Sequence, residues 1–174
     1  MDAYMITFRI IHIVSAILWF GAATFYSVFV GPSLASIGPQ AANTFYNHLV
    51  RQRRAVAFFR TVSTLTVVAG GFLYWRDSSG LKLDWITTSA GIGFTVGAVF
   101  GIASWLLVLG IISPTAIRLA AVGEQISAGG GPPSQEQTAS LQAMSSRLRS
   151  FSFLLLALLA VAAIAMASAR YLVF

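Results

Sequence analysis

Three side chains able to bind a cofactor or a metal recur at seven-residue spacing in one apolar segment near the N-terminus. They are His12, Trp19 and Tyr26, with Ser15 and Ala23 between them. At about 3.6 residues per turn, these positions share one face of a helix. A histidine is costly on a lipid-facing surface, so we expect this polar and aromatic stripe to face protein. The segment covers residues 8–32, FRIIHIVSAILWFGAATFYSVFVGP.

The histidine of this stripe has two interpretations that the residues leave open. In one, the imidazole of His12 is a ligand to a haem iron or another metal ion. In the other, the ring donates a hydrogen bond to a neighbouring helix. Under both interpretations, the apolar residues beside the stripe should lie outside it. These residues are Ile11, Ile13, Leu18 and Phe29.

Distance along the helices decides which groups can reach His12. About 18 residues, or roughly 27 Å, separate His12 from the far end of the first helix, beyond which His48 lies. One haem iron therefore cannot take both histidines of a protomer, and a two-histidine site would need His12 from two protomers. Met5, Lys82 and Asp84 lie on the same side as His12 and complete a candidate cluster. One histidine with few carboxylates is too poor a ligand set for a zinc or copper cage.

Two groups of cations lie near the second apolar segment. Arg60 lies about one turn inside it, where the side chain either snorkels to the interface or faces an internal anion such as a carboxylate or a porphyrin propionate. His48 and the run RQRR at 51–54 lie just before the segment. Basic clusters at such positions bind anionic headgroups and fix topology, with a specific binding site as the alternative.

The composition indicates an integral membrane protein. The chain has 174 residues, of which 57% are hydrophobic and 9% charged, with a mean hydropathy of +0.79. Soluble domains carry about a quarter charged residues. The sequence contains no cysteine, which excludes disulfides, thiolate-bound metals and a cysteine nucleophile. The net charge of +6 then reflects orientation and contact with anionic lipid, and we expect no nucleic-acid partner.

Four apolar segments are long enough to cross a bilayer, which takes about 20 residues each. Each should be a helix, because lipid offers no partners for unpaired backbone groups. We therefore predict an all-α integral membrane four-helix bundle, antiparallel and up-down, with its helices extended on the cytoplasmic side. It should form a single transmembrane domain over residues 1–174. The predicted spans are 5–30, 55–75, 85–112 and 150–172.

Prolines predict where the first three helices begin and end. The first helix should end at Gly31-Pro32. Pro39 suits the first turn of a helix, which we expect to run on as one long helix to about residue 75. Ser113-Pro114 either kinks the third helix or starts a new one.

Small residues recur every four positions along the third segment. Such a ladder lets another backbone approach closely, and helix–helix packing is its usual role. The alternative is that a flat ligand such as a porphyrin lies on it. The ladder consists of Ser89, Gly93, Gly97 and Gly101.

The fourth helix has a recognisable beginning. The run AGGGPPS at 128–134 breaks the preceding helix. Ser134 with Gln137 then matches a capping box, which starts a helix that enters the membrane near Arg149 and ends near Tyr171.

Basic residues predict the orientation of the chain. The connections at 31–54 and 113–149 carry three arginines each, whereas the opposite side has four basic residues offset by three aspartates. The positive-inside rule therefore places both long connections in the cytoplasm and both termini outside.

The first helix resembles that of the copper-resistance-D-like superfamily of small four-helix bacterial membrane proteins. That group includes the HemJ-type protoporphyrinogen oxidases and several uncharacterised relatives, to which this chain is most similar. Their first helix carries a histidine, a Trp-Phe with glycine and an aromatic pair. The matching residues here are His12, Trp19, Phe20, Gly21, Phe25 and Tyr26.

The resemblance extends over most of the chain. RQRRAVAFFRTVSTLTVVAGGFLYW is similar to the second helix of these proteins, and Lys82-Leu83 matches a Lys-Leu at the head of their third helix. The further histidine of the HemJ-type third helix is missing here. The resemblance implies a b-type haem or porphyrin site with His12 as axial ligand and Lys82 nearby.

Three functions follow as hypotheses. The first is a haem- or porphyrin-binding protein for electron transfer or porphyrin chemistry, with haem b as cofactor and His12 as its metal ligand. The second is a non-enzymatic accessory subunit of a larger membrane complex, and the third is a transporter of a small solute or metal. The lipid bilayer is the expected partner, together with other membrane subunits or further copies of the chain. The predicted cofactor-binding residues are His12, Lys82, Trp19, Tyr26 and Arg60.

Overall fold

The computed structural model describes residues 3–130 and 133–172. Almost all of these residues are helical and none of them is in a strand, so the predicted all-α fold class is confirmed. The helices are α1 (Ala3–Ser36), α2 (Pro39–Asn47), α3 (Ala55–Asp77), α4 (Leu83–Ile86), α5 (Ser89–Ala128) and α6 (Gln135–Ser168), which a 3-10 turn at Ala169–Tyr171 closes.

Four of the described helices are long and apolar enough to cross a membrane, namely α1, α3, α5 and α6. In the most apolar stretch of each, 22% of the residues are buried inside the bundle. Many large hydrophobic residues of these helices are exposed, which suits lipid rather than water. These features indicate a multi-pass membrane protein.

A wide turn of π-helix precedes Pro32 in α1, and the helix continues beyond the proline. The turn covers Tyr26–Val30, and at its end the N–H of Gly31 donates to the carbonyl of Tyr26, five residues back. Proline lacks the N–H that the carbonyl four residues back requires in an α-helix. The π turn gives the Tyr26 carbonyl a donor one residue later than an α-helix would, and the helix continues through Pro32 to Ser36. The predicted end of the first helix at Gly31-Pro32 is therefore wrong.

The same arrangement recurs in α5. A π turn covers Val108–Ile112, and the N–H of Ser113 donates to the carbonyl of Val108. Pro114 follows as an early residue of the next α-helical stretch. Helical residues run without interruption through this point, so the alternative of a new helix beginning at Ser113-Pro114 is wrong.

The predicted long helix from about 39 to 75 is also wrong. After α2 comes a third π turn, His48–Gln52, and helical structure then stops at Arg53 and Arg54. The backbone of Arg54 has a φ of 52°, in the left-handed region that L-residues avoid within helices. The second span therefore begins as a separate helix at Ala55.

The third span begins later than predicted. α4 ends at Ile86, and the hydroxyl of Thr88 then accepts the N–H of Gly91 at 3.0 Å. This side-chain cap satisfies one of the donors that a helix leaves unpaired at its N-terminus. The long helix consequently starts at Ser89 rather than at 85.

The start of α6 agrees with its prediction. Ser134 and Gln137 form the reciprocal hydrogen bonds of a capping box. The helical structure breaks before this point, as the run AGGGPPS predicts, although Gly131 and Pro132 of that run lie outside the described residues.

Small residues bring α5 and α6 close together. A β carbon at Gly93 would lie 2.8 Å from the Cα of Ala169, and one at Gly97 would lie 2.5 Å from the Cγ of Met166. Both distances are too short for any residue but glycine. Helix packing is therefore confirmed as the role of Gly93 and Gly97. The alternative of a porphyrin lying on these two glycines is wrong, because Ala169 and Met166 cover them.

Two apolar clusters form the core of the described bundle. One surrounds Trp19, whose side chain is 1% exposed, and it joins α1, α3, α5 and α6. The other surrounds Tyr46 and joins α2 to α5 and α6. The first cluster contains Trp19, Ala23, Val62, Leu107, Val108, Leu155 and Leu159, and the second contains Tyr46, Ala116, Ala120 and Leu148.

Candidate functional site

The polar and aromatic stripe of α1 faces protein. Ser15, Trp19 and Ala23 are buried, and His12 and Tyr26 are half-buried. The residues predicted to lie outside the stripe are exposed. The seven-residue spacing therefore identified the inward face of α1 correctly.

The imidazole of His12 is held by the backbone of α3. Its Nδ1 lies 2.8 Å from the carbonyl oxygen of Thr66. A carbonyl can only accept, so Nδ1 carries the proton and donates it. The neutral ring then has an unprotonated Nε2, and no hydrogen bond among the described residues reaches that atom. The second interpretation of His12, a donor to a neighbouring helix, is confirmed.

Gly70 makes this contact possible. A β carbon at this position would lie 2.8 Å from Cε1 and 2.9 Å from Nδ1 of His12. Such distances are too short for a carbon–carbon contact, so a larger residue would displace the ring. The absence of a side chain at Gly70 therefore leaves the space in which the edge of the His12 imidazole lies against α3.

Hydroxyl groups continue the polar contact one turn further along the seam between α1 and α3. The Oγ1 of Thr66 lies 2.9 Å from the Oγ of Ser15 and 2.8 Å from the carbonyl oxygen of Val62. Ser15 in turn donates to the carbonyl of Ile11 at 2.6 Å. This network fixes the position of the carbonyl to which His12 donates.

Aromatic rings lie on the other side of His12 in the same seam. Phe8, one turn before His12 on α1, packs against Phe72 of α3 with ring centroids 4.8 Å apart. Tyr4 packs against Phe8 at 4.5 Å. Tyr4 and Phe72 are exposed on the outside of the bundle, so these rings form an accessible aromatic surface next to the histidine.

Trp19 occupies the centre of the bundle. Its indole N–H is buried and has no hydrogen-bond partner among the described residues. An unpaired buried donor costs about 1–3 kcal/mol, which the burial of the large indole in its apolar cluster offsets.

Lys82 and Asp84 lie at the end of α3 that is nearer to His12. Both are exposed, and Met5 is half-buried on α1. Lys82 precedes α4 and its N–H donates to the carbonyl of Ser78. No described hydrogen bond or ion pair joins either charged residue to His12, so their membership of a common site stays a prediction.

Arg60 lies on the exposed side of α3, as snorkelling requires. Ten residues separate it from Gly70, which is about 15 Å along a helix. The guanidinium therefore approaches the far end of the bundle, and its part in a site at His12 stays a prediction.

Tyr26 lines an apolar cavity between the two core clusters. The cavity has a volume of about 70 Å³ and is partly open. All three π turns contribute to its wall. Wide turns of this kind recur at functional sites in helical proteins. The lining residues include Tyr26, Ser27, Tyr46, Leu49, Val50, Ala55, Val56, Val108, Ile112, Ser113, Ala116 and Ser152.

Sequence reasoning did not find Tyr46 at this cavity. Its hydroxyl lies 3.5 Å from the carbonyl oxygen of Ala116. Burial, and to a smaller degree the nearby Tyr26, raises the pKa of Tyr46 well above its usual range. The phenol is therefore a neutral hydrogen-bonding group.

Metal-binding groups are sparse in the described part of the chain. None of its residues form a cluster of three or more histidine, aspartate, glutamate or cysteine side chains. A metal held at His12 would therefore need other ligands, such as the nitrogens of a porphyrin or a group from a second copy.

No protein-family model, curated protein or solved structure matches the chain. The resemblance to the copper-resistance-D-like superfamily therefore stays a prediction.

Proposed function

We propose that this chain is a multi-pass protein of the bacterial inner membrane that binds haem b or a related metalloporphyrin through Nε2 of His12. The observation that carries the proposal is the hydrogen bond from Nδ1 to the Thr66 carbonyl. A histidine that ligates a metal usually donates its other N–H to a carbonyl or carboxylate, which orients the ring and makes the free nitrogen a better ligand. His12 has this arrangement.

The residues around His12 fit a flat, apolar ligand. Tyr4, Phe8 and Phe72 supply aromatic surface within about two turns on α1 and α3, and aromatic faces favour stacking with other π systems. Lys82 is the cation that we assign to a porphyrin carboxylate. A bound haem would supply one-electron chemistry, and the part of His12 is to hold it and tune its potential.

A single histidine leaves the second axial position to another group. We propose that a second copy of the chain supplies it, since His12 is half-buried and no described residue bonds its Nε2. The alternative is a five-coordinate iron. The two cases differ in the absorption spectrum of the reduced protein.

The proposed bundle is antiparallel and up-down, with both termini outside. Contacts between α1 and α3 support the antiparallel arrangement, because their residue numbers run in opposite directions, and the distribution of basic residues supports the orientation of the termini. Phe8 lies against Phe72, whereas Ser15 lies against Thr66. In this arrangement His12 lies about 10 Å below the outer end of α3, since seven residues separate Gly70 from Asp77.

Haemin titration of the purified full-length protein tests the proposal. We expect a Soret band from bound haem in the wild-type protein, its loss in His12→Ala, and its retention in His48→Ala. His48 is the matched control because it is the other histidine and is exposed in the π turn after α2. Equal spectra for the two variants, or no haem binding by the folded wild type, would overturn the proposal.

A further inference from the structure

The cavity between the core clusters has features of a lipid site. Its wall consists almost entirely of apolar surface. Three buried serines, at positions 27, 113 and 152, interrupt that surface. A volume of about 70 Å³ is far too small for a porphyrin, whose sites measure several hundred Å³. The space fits a few methylene groups of a flexible acyl chain.

A short basic segment lies between residues that line the cavity. Leu49 and Val50 before it and Ala55 and Val56 after it line the cavity. The intervening RQRR, residues 51–54, is exposed and lies at the N-terminal end of the second membrane-spanning helix. The chain thus places cations next in sequence to residues that line an apolar cavity, a combination that suits the headgroup and acyl chain of a phospholipid.

The arginines of this segment differ in their partners. Arg51 forms an ion pair with Glu124, with a distance of 3.4 Å between Nη2 and Oε2. Arg53 and Arg54 form no ion pair with a described residue. Arg54 also keeps the left-handed backbone conformation. Strained backbone of this kind persists where the surrounding structure holds it, often at ligand clamps.

We propose that an anionic phospholipid binds here, with the part of one acyl chain nearest the headgroup in the cavity and its phosphate against Arg53 and Arg54. Each basic residue near a membrane surface favours anionic lipid, and the cavity adds a position for the chain of one particular lipid molecule. Residues of all three π turns contribute to the wall that would contact the chain. The site is separate from His12, which does not line the cavity.

Native mass spectrometry from mixed phosphatidylglycerol and phosphatidylcholine micelles tests the headgroup contact. We expect the wild-type protein to retain one phosphatidylglycerol preferentially. In Arg53→Gln/Arg54→Gln this preference should fall on the order of tenfold. The matched control is Arg118→Gln/Arg149→Gln, which removes two exposed arginines of the other long connection. Equal retention of both lipids by the wild type, or an equal loss in the control, would overturn the proposal.

Thiol labelling tests the occupied cavity and needs no change at the arginines. The natural chain has no cysteine, so Ser152→Cys places a single thiol on the cavity wall. We expect a membrane-permeant maleimide to react several-fold more slowly in vesicles with phosphatidylglycerol than in pure phosphatidylcholine. Leu154→Cys, exposed on the same helix, should react equally in both. Equal rates at position 152 would refute occupation by a lipid chain. Equal protection by a fatty acid in phosphatidylcholine vesicles would refute phospholipid as the occupant.

Discussion

The seam between α1 and α3 and the cavity between the core clusters show two opposite ways of joining helices. At the seam, Gly70 removes a side chain so that the His12 ring lies against the backbone of α3. At the cavity, residues of the π turns in α1 and α5 line an open space between helices. Gly70 thus allows close contact between a polar side chain and backbone, whereas the π turns border the space in which we propose that a lipid chain binds.

The contact of α5 with α6 belongs to the first type. Gly93 and Gly97 bring the backbone of α5 against the C-terminal segment at the end of the bundle that also holds α4. In lipid, helix association depends on such packing and on interhelical hydrogen bonds rather than on the hydrophobic effect. The glycine contacts should therefore contribute most of the stability, and the cavity end should tolerate more change.

The largest effect is expected where a side chain would meet backbone. In Gly93→Leu, the new side chain would enter the space of the Ala169 backbone, which cannot rotate away. We expect a loss of about 3 kcal/mol or more in the free energy of unfolding, measured by titration with sodium dodecyl sulfate in mixed micelles. In Gly101→Leu, where no described atom lies within 4 Å of the new β carbon, the loss should be small. Similar losses in the two variants would contradict the proposed role of close packing.

A smaller effect is expected where a side chain would meet the imidazole. Gly70→Ala should displace the His12 ring and break its bond to the Thr66 carbonyl, with a loss of about 1–2 kcal/mol. In the same variant, haem affinity should fall if His12 is the ligand. The control is Gly71→Ala, next in sequence but with no described atom within 4 Å of the new β carbon. Equal stability of the two alanine variants in the same titration would mean that the ring is not seated on Gly70.

Hydrophobic periodicity was sufficient to predict much of this fold. Length and composition identified the four apolar helices, and the spacing of His12, Trp19 and Tyr26 identified the inward face of α1. These features follow from local pattern, because lipid leaves a spanning segment little choice but helix. The capping box at Ser134 was predictable for the same reason, since its partners are three residues apart.

The features that were not predicted depend on contacts between distant segments. Nothing near His12 in sequence identifies Thr66 and Gly70 as its partners, although a threonine followed four residues later by glycine is a typical close-packing pattern. Tyr46 was missed because the residues that bury it are distant in sequence. Its burial depends on docking against α5 and α6.

The wrong end of the first helix at Pro32 and the wrong alternative of a new helix at Pro114 have one cause. The rule that proline ends a helix assumes α-helical bonding in the preceding turn. Before Pro32 and Pro114, the π turns change that bonding, and both helices continue. A single sequence contains no strong signal for a π turn.

The smallest effect is expected at these prolines, and it tests whether the π turns accommodate them without strain. A proline inside an ordinary helix costs about 3 kcal/mol, so an alanine in its place would recover a comparable amount. If the π turn at Tyr26–Val30 already gives the carbonyls other donors, Pro32→Ala should change the free energy of unfolding by under about 1 kcal/mol. Pro39→Ala is the control, because Pro39 begins α2 and has no helical turn before it. A gain near 3 kcal/mol in the free energy of unfolding for Pro32→Ala, but not for Pro39→Ala, would contradict this expectation. It would mean that Pro32 strains α1 and that packing elsewhere in the protein compensates for the strain.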